Sequence, residues 1–142
     1  YFKKGFMKKI DNIIFFDGIC NLCNGFINFV WSKNSNRNFY YSSLQSKFSS
    51  KFLSEKGLTS NKLQTIYFYD GNNLYDRSTA VIKILRNLDG FFPTLAKIFS
   101  IFPRFLRDSI YNLIAKYRYK IFGKSDVCRL PSKEEKSYFL DE

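Results

Sequence analysis

Apolar residues recur along this chain with two alternating periods. Ile13-Ile14-Phe15-Phe16 is a short unbroken apolar run, stopped by Asp17-Gly18. Such a run predicts a strand buried on both faces that ends in a tight turn. Over residues 21–33, Leu22, Phe26, Phe29 and Val30 return at helical spacing, and Asn34-Ser35-Asn36 ends the pattern. Phe39-Tyr40-Tyr41 predicts a second strand, followed by a helix over residues 49–56 that Gly57 stops. Thr65-Ile66-Tyr67-Phe68-Tyr69 is the clearest strand. The Asp70-Gly71-Asn72-Asn73 turn then returns the chain into Leu74-Tyr75. Ser78 or Thr79 is expected to cap a third helix with Ala80, Val81, Ile84, Leu85 and Leu88 on one face, closed by Asp89-Gly90.

The last third changes character. Pro93 and Pro103 mark two further helix starts. The first helix, over residues 94–102, is short. The second, over residues 104–122, sets Leu106, Ile110, Leu113, Tyr117 and Ile121 on one face and stops at Gly123. From Pro131 onward the chain is polar and expected to be loosely held. The order is β-α-β-α-β-β-α followed by a helical pair. A parallel βαβ unit and a later antiparallel hairpin imply an α/β fold with a central mixed four-stranded sheet covered by helices. The 142 residues fit one domain, with a core over residues 11–90, a helical extension over 91–131 and a polar tail over 132–142.

Charge complicates this picture. The formal net charge is +11, spread along the chain rather than gathered in a block. Plain surface charge, an anionic membrane surface and nucleic acid are the three explanations. The basic aromatic stretch holding Lys97, Arg104, Arg107, Lys116, Arg118, Lys120 and Lys124 is where either partner would bind. Its apolar spacing favours helices packed on the sheet with the cations outside. Nucleic acid is therefore not expected, and peripheral membrane contact is the alternative. No apolar run reaches the ~18 residues that a membrane-spanning helix needs. The first nine residues carry Lys3, Lys4, Lys8 and Lys9 without the apolar core of a secretory leader. The expected compartment is the cytoplasm, where dithiols are kept reduced.

The candidate chemistry is sulfur chemistry. There is no histidine, which removes Cys–His proteases, Ser–His–Asp hydrolases and His-based zinc sites. Three cysteines are too few, and odd in number, for a secreted disulfide scaffold. Cys20 and Cys23 stand three apart at a strand-to-helix junction, a spacing that brings them onto one helical face. Cys20, near the N-cap, meets unpaired backbone N–H groups and the positive end of the helix dipole, which favour the nucleophilic thiolate. Cys20 is thus the expected nucleophile, and Cys23, expected to be the more buried, the resolving thiol. Asp17 beside the turn either carries the Cys23 proton or only stabilises the turn. A zinc site would need two more ligands. Cys128 and Asp17 are the candidates, but with no second CxxC neither a metal nor another cofactor is expected. Cys128 is better explained by packing than by a second exchange. Arg77 is a candidate auxiliary cation near the thiolate, although a surface arginine before a helix is the commoner case.

The segment from Phe15 to Gly25, with Asp17, Cys20 and Cys23 as D-x-x-C-x-x-C, resembles the opening of the DCC family of thiol–disulfide oxidoreductases. Ser43-Leu44-Gln45-Ser46, Arg77-Ser78-Thr79-Ala80, Arg118-Tyr119, Phe122-Gly123 and Cys128-Arg129-Leu130-Pro131 are similar to it as well. The resemblance covers residues 13–131. It implies a thioredoxin-like three-layer fold and a dithiol activity. The expected partners are a disulfide-containing protein or small-thiol substrate and an unknown electron donor. Thioredoxins place a cis-proline before the third strand. Residues 58–65 contain no proline, so that substrate-facing edge is expected to be built differently here. The competing class is a non-catalytic thioredoxin-like module that binds an anionic surface.

Overall fold

The computed structural model describes residues 12–18, 20–35, 38–44, 46–57, 66–123 and 138–140. The lysine-rich start, the proline-free 58–65 segment, Lys124, Cys128 with its neighbours and most of the polar tail lie outside these residues. At the centre is β1 (Ile13–Phe16), every residue of which is buried. Alternate side chains serve opposite faces. Ile14 and Phe16 pack with Ile27, Val30, Phe39, Phe68, Ile82 and Ile84, while Ile13 and Phe15 pack with Leu44, Leu53 and Tyr67. A strand that must fill two cores cannot carry a polar residue at either phase, which is why its sequence shows no alternation.

The strands lie in the order β2-β1-β3-β4, where β2 is Tyr40–Ser43, β3 Tyr67–Tyr69 and β4 Leu74–Asp76. The β1–β2 pair is parallel and the β1–β3 and β3–β4 pairs are antiparallel. Helix α1 (Asn21–Lys33) supplies the βαβ crossover. It is followed by α2 (Lys47–Glu55), α3 (Arg77–Leu85), α4 (Phe92–Ser100) and α5 (Arg104–Phe122). This is the expected α/β, thioredoxin-like arrangement with a helical pair appended.

Local chemistry sets the helix limits. Ser46 accepts the Ser49 N–H at 3.1 Å, so α2 begins before the expected position. Neither Ser78 nor Thr79 caps α3, which starts at Arg77 in the left-handed region (φ 50°). The Ser78 hydroxyl is committed instead to Asp108 of α5 at 2.5 Å, and its amide points to the same oxygen.

Two expectations are corrected. The stripe through Leu106, Ile110, Leu113, Tyr117 and Ile121 does not pack on the sheet; all five are exposed. α5 instead turns Asp108, Tyr111, Ala115 and Arg118 inward; Asp108 accepts from Ser78 at the start of α3, Tyr111 from the Ile66 N–H before β3, and Arg118 donates to Asp17 after β1. The tail is not loose throughout. Phe139 forms a parallel bridge with Tyr41, the Leu140 N–H donates to the Tyr41 carbonyl at 2.7 Å, and Ser42 Oγ donates to the Leu140 carbonyl at 2.8 Å. Phe139 stacks on Tyr41 and meets Phe16 edge-on. The tail thus covers the otherwise open β2 edge. Phe139→Ala should lower stability by about 2 kcal/mol in urea unfolding, less than a fully buried ring would lose. An unchanged midpoint would show that the tail contributes nothing to the fold.

Candidate functional site

The end of β1 leads directly into the cysteine pair. The Cys20 N–H donates to the Asp17 carbonyl at 3.2 Å, closing the turn, and Asn24 Nδ2 holds the Gly18 carbonyl at 2.8 Å. Cys20 is the N-cap of α1, with extended backbone angles, and its Sγ accepts the Cys23 N–H at 3.4 Å. That bond satisfies an otherwise orphaned helix donor. Both cysteines are free thiols.

The expected order of burial is reversed. Cys20 is fully buried and Cys23 only half-buried. The cap bond folds Cys20 back over the first helical turn, and the end of α5 closes on that same turn. The Asn21 N–H donates to the Gly123 carbonyl at 3.3 Å, and Asn21 Nδ2 to the Phe122 carbonyl at 2.9 Å. Cys23 begins the inner line of α1 that continues through Ile27 and Val30, and lies at its open end. Gly123 serves this approach twice: its φ is +88°, and a Cβ there would meet Asn21 Nδ2 at 2.9 Å.

The half-buried Cys23 is nevertheless held protonated. Its thiol is pushed up to about 12, first by burial, then by hydrogen bonding with Cys20 and the charge Cys20 can carry. Arg118 pulls it down and Asp17 pushes it up. Both therefore act electrostatically on the second thiol.

Asp17 is buried in an ion pair with Arg118, whose Nη2 lies 3.0 Å from Oδ2. The Tyr119 hydroxyl donates to the same oxygen. Burial works against the Arg118 charge, but its bonds to Tyr119 and Asp17 and the negative charge available at Cys23 outweigh it, so the guanidinium is held above its ordinary range. Burial and the bond to Asp17 push the Tyr119 hydroxyl up, keeping it a donor. Sequence reasoning gave no individual role to Arg118 or Tyr119. The available signal was a second helical line on α5, Asp108-Tyr111-Ala115-Arg118, made mostly of polar residues and overshadowed by the apolar one.

Arg77 lies at the same end of the sheet. The registers align Phe15 with Tyr67 and Tyr67 with Asp76, leaving Arg77 two strands from Asp17. Its side chain pairs with Asp76 at 3.6 Å, and it is not among the charges acting on Cys23. The backbone before β3 is occupied internally. The Ile66 N–H donates to the Tyr111 hydroxyl at 3.0 Å, and its carbonyl accepts the Arg77 N–H at 3.2 Å. Among the described residues no cluster of three or more metal-ligating His, Cys, Asp or Glu forms. Cys128 lies outside them.

The DCC1-like thiol–disulfide oxidoreductase family matches this chain over residues 14–124. The uncharacterised protein YuxK of Bacillus subtilis is 37% identical over 130 residues, covering 92% of this chain and 94% of that protein. A DCC family protein of Arabidopsis thaliana, named as chloroplastic, is 38% identical over 118 residues, covering 83% and 69%. No solved structure gives a significant match.

Removing one partner of the buried pair strands the other charge. Arg118→Met should cost about 3–5 kcal/mol, read by chemical unfolding; a loss below 1 kcal/mol, on the order expected of an exposed pair, would contradict the burial. Cys23 adds a pH signature. Its folded value lies above the ordinary 9.0, so its contribution is complete below pH 9.0 and lost as pH rises towards about 12. The stability advantage of the wild-type protein over Cys23→Ser should therefore shrink across that interval. A difference independent of pH would contradict the elevated thiol.

Proposed function

This chain belongs to the DCC1-like thiol–disulfide oxidoreductase family, and we propose that it exchanges a Cys20–Cys23 dithiol with disulfide substrates. Membership supports a thiol–disulfide redox role in general. The observation that carries the assignment of parts is the asymmetry between the sulfurs: Cys20 Sγ accepts a helix amide, whereas Cys23 is held protonated. Cys20 attacks one sulfur of the substrate disulfide. That S–S bond breaks, one substrate thiolate leaves, and a mixed disulfide forms on Cys20.

The mixed disulfide changes Cys23. Once Cys20 no longer carries a charge or accepts a hydrogen bond as a thiolate, two of the three strongest causes of the Cys23 elevation disappear. Burial and Asp17 remain against Arg118. Cys23 then loses its proton to Asp17, the carboxylate held by Arg118 and Tyr119, and attacks Cys20 Sγ. The second substrate thiolate leaves and takes up the proton that Asp17 received, while the first takes its proton from water. The products are two substrate thiols and a Cys20–Cys23 disulfide, which an external dithiol donor reduces. Elevation of Cys23 before attack and its relief afterwards keep the resolving thiol from competing for substrate.

Full burial of Cys20 favours small disulfides, or flexible ones on proteins, over disulfides held in rigid folds. We place the activity in the reducing cytoplasm, the compartment where a dithiol is maintained; the plant relative's chloroplast name concerns that protein.

Trapping tests the roles. With glutathione disulfide, Cys23→Ser should accumulate one glutathione on Cys20 by intact mass. Cys20→Ser should form no adduct, and wild type should finish as the intramolecular disulfide. Resolution in the wild type should accelerate with pH, by up to about tenfold per unit while the Cys23 thiolate is the minor species. Adduct on Cys20→Ser but not on Cys23→Ser would reverse the assignment.

A further inference from the structure

All fourteen exposed large hydrophobic residues among the described residues lie between Phe91 and Phe122. A soluble surface carries single apolar residues everywhere, so confinement of every one to a single helical pair marks a contact surface. The turn between α4 and α5 and the first residues of α5 are its most exposed part, with Ile101 78% and Phe105 75% accessible. From there Ile110, Leu113 and Ile121 continue along the outer face of α5, ending beside Phe122, whose carbonyl holds Asn21 next to the cysteines.

The charge around this surface is one-sided. Residues 91–123 contain Lys97, Arg104, Arg107, Lys116, Arg118 and Lys120 against the single acid Asp108. Arg104 and Arg118 are ion-paired with Asp76, Asp108 and Asp17. Among the described residues, Lys97, Arg107, Lys116 and Lys120 form no ion pair, and the three lysines are exposed. A second copy would set these cations against an identical set, which disfavours a homodimer. Along the outer face of α5, Ile110, Leu113, Ile114 and Ile121 are aliphatic and offer bases little to stack on, which disfavours nucleic acid there. No helix is long and apolar enough to cross a membrane. An apolar face rimmed by lysines suits a helix lying in the headgroup boundary, with the cations reaching outward to anionic lipid.

We propose that the α4–α5 pair docks this protein peripherally on an anionic lipid bilayer, with the α4–α5 turn and the outer face of α5 inserted. This surface is independent of the thiol chemistry. Docking would nevertheless hold the start of α1, and with it Cys20 and Cys23, beside the lipid headgroups.

Vesicle flotation tests this with the full chain. Wild type should float with phosphatidylcholine vesicles containing phosphatidylglycerol at low salt, and should be released by high salt or by pure phosphatidylcholine. Lys116→Gln/Lys120→Gln should weaken binding by about tenfold or more, since each surface cation contributes separately. Ile101→Ser/Phe105→Ser should abolish it while circular dichroism and glutathione exchange are unchanged. If that variant misfolds, the lysine pair still decides the matter. Absence of flotation with anionic vesicles would overturn the proposal, as would salt-independent binding to both lipids. A dimer in analytical ultracentrifugation that Ile101→Ser/Phe105→Ser dissolves would give the face to a second copy instead.

Discussion

The Asp17–Arg118 ion pair governs this structure. It joins side chains 101 positions apart, both almost wholly shielded from water. Removing two charges from water is unfavourable unless each is closely paired and further hydrogen-bonded. Tyr119 supplies one such bond to the carboxylate. A pair in this position requires α5 to lie across the end of the sheet with a polar face inward. That face also delivers Tyr111 to the Ile66 amide and Asp108 to Ser78. One helix therefore braces the end of β1, the start of β3 and the start of α3.

The orientation has a cost and a consequence. An amphipathic helix ordinarily hides its apolar stripe, but α5 exposes its stripe because the opposite face is committed to the site. The same constraint brings the C-terminal end of α5 onto the N-terminal end of α1, where carbonyls of one helix receive donors of the other through Asn21. The redox chemistry and the outer surface are thus two results of one packing decision. Among the described residues, Arg118 is the one group moderating a thiol that burial, Cys20 and Asp17 all raise.

Much of the fold was legible because single residues announce it. The unbroken apolar run of β1, the Asp70–Asn73 turn and the positive-φ glycines Gly57, Gly90 and Gly123 each act locally. The CxxC pair was legible for the same reason, since its spacing and its place at a helix start are local properties. What escaped the sequence depends on contacts between distant segments. The inversion of α5 depends on Asp17, and the docking of Phe139 depends on an open β2 edge; neither partner is nearby in the chain. Ser78 looks like a helix cap until Asp108 is placed against it. The burial of Cys20 below Cys23 is likewise something that helical spacing alone does not reveal.

The most direct test of a Cys20–Cys23 redox couple is equilibrium titration in glutathione buffers, read by alkylation and mass spectrometry. A single two-electron transition of the pair, with a potential between about −120 and −270 mV, is the predicted result. Cysteines that take up glutathione independently, with no intramolecular disulfide at any ratio of oxidised to reduced buffer, would contradict it.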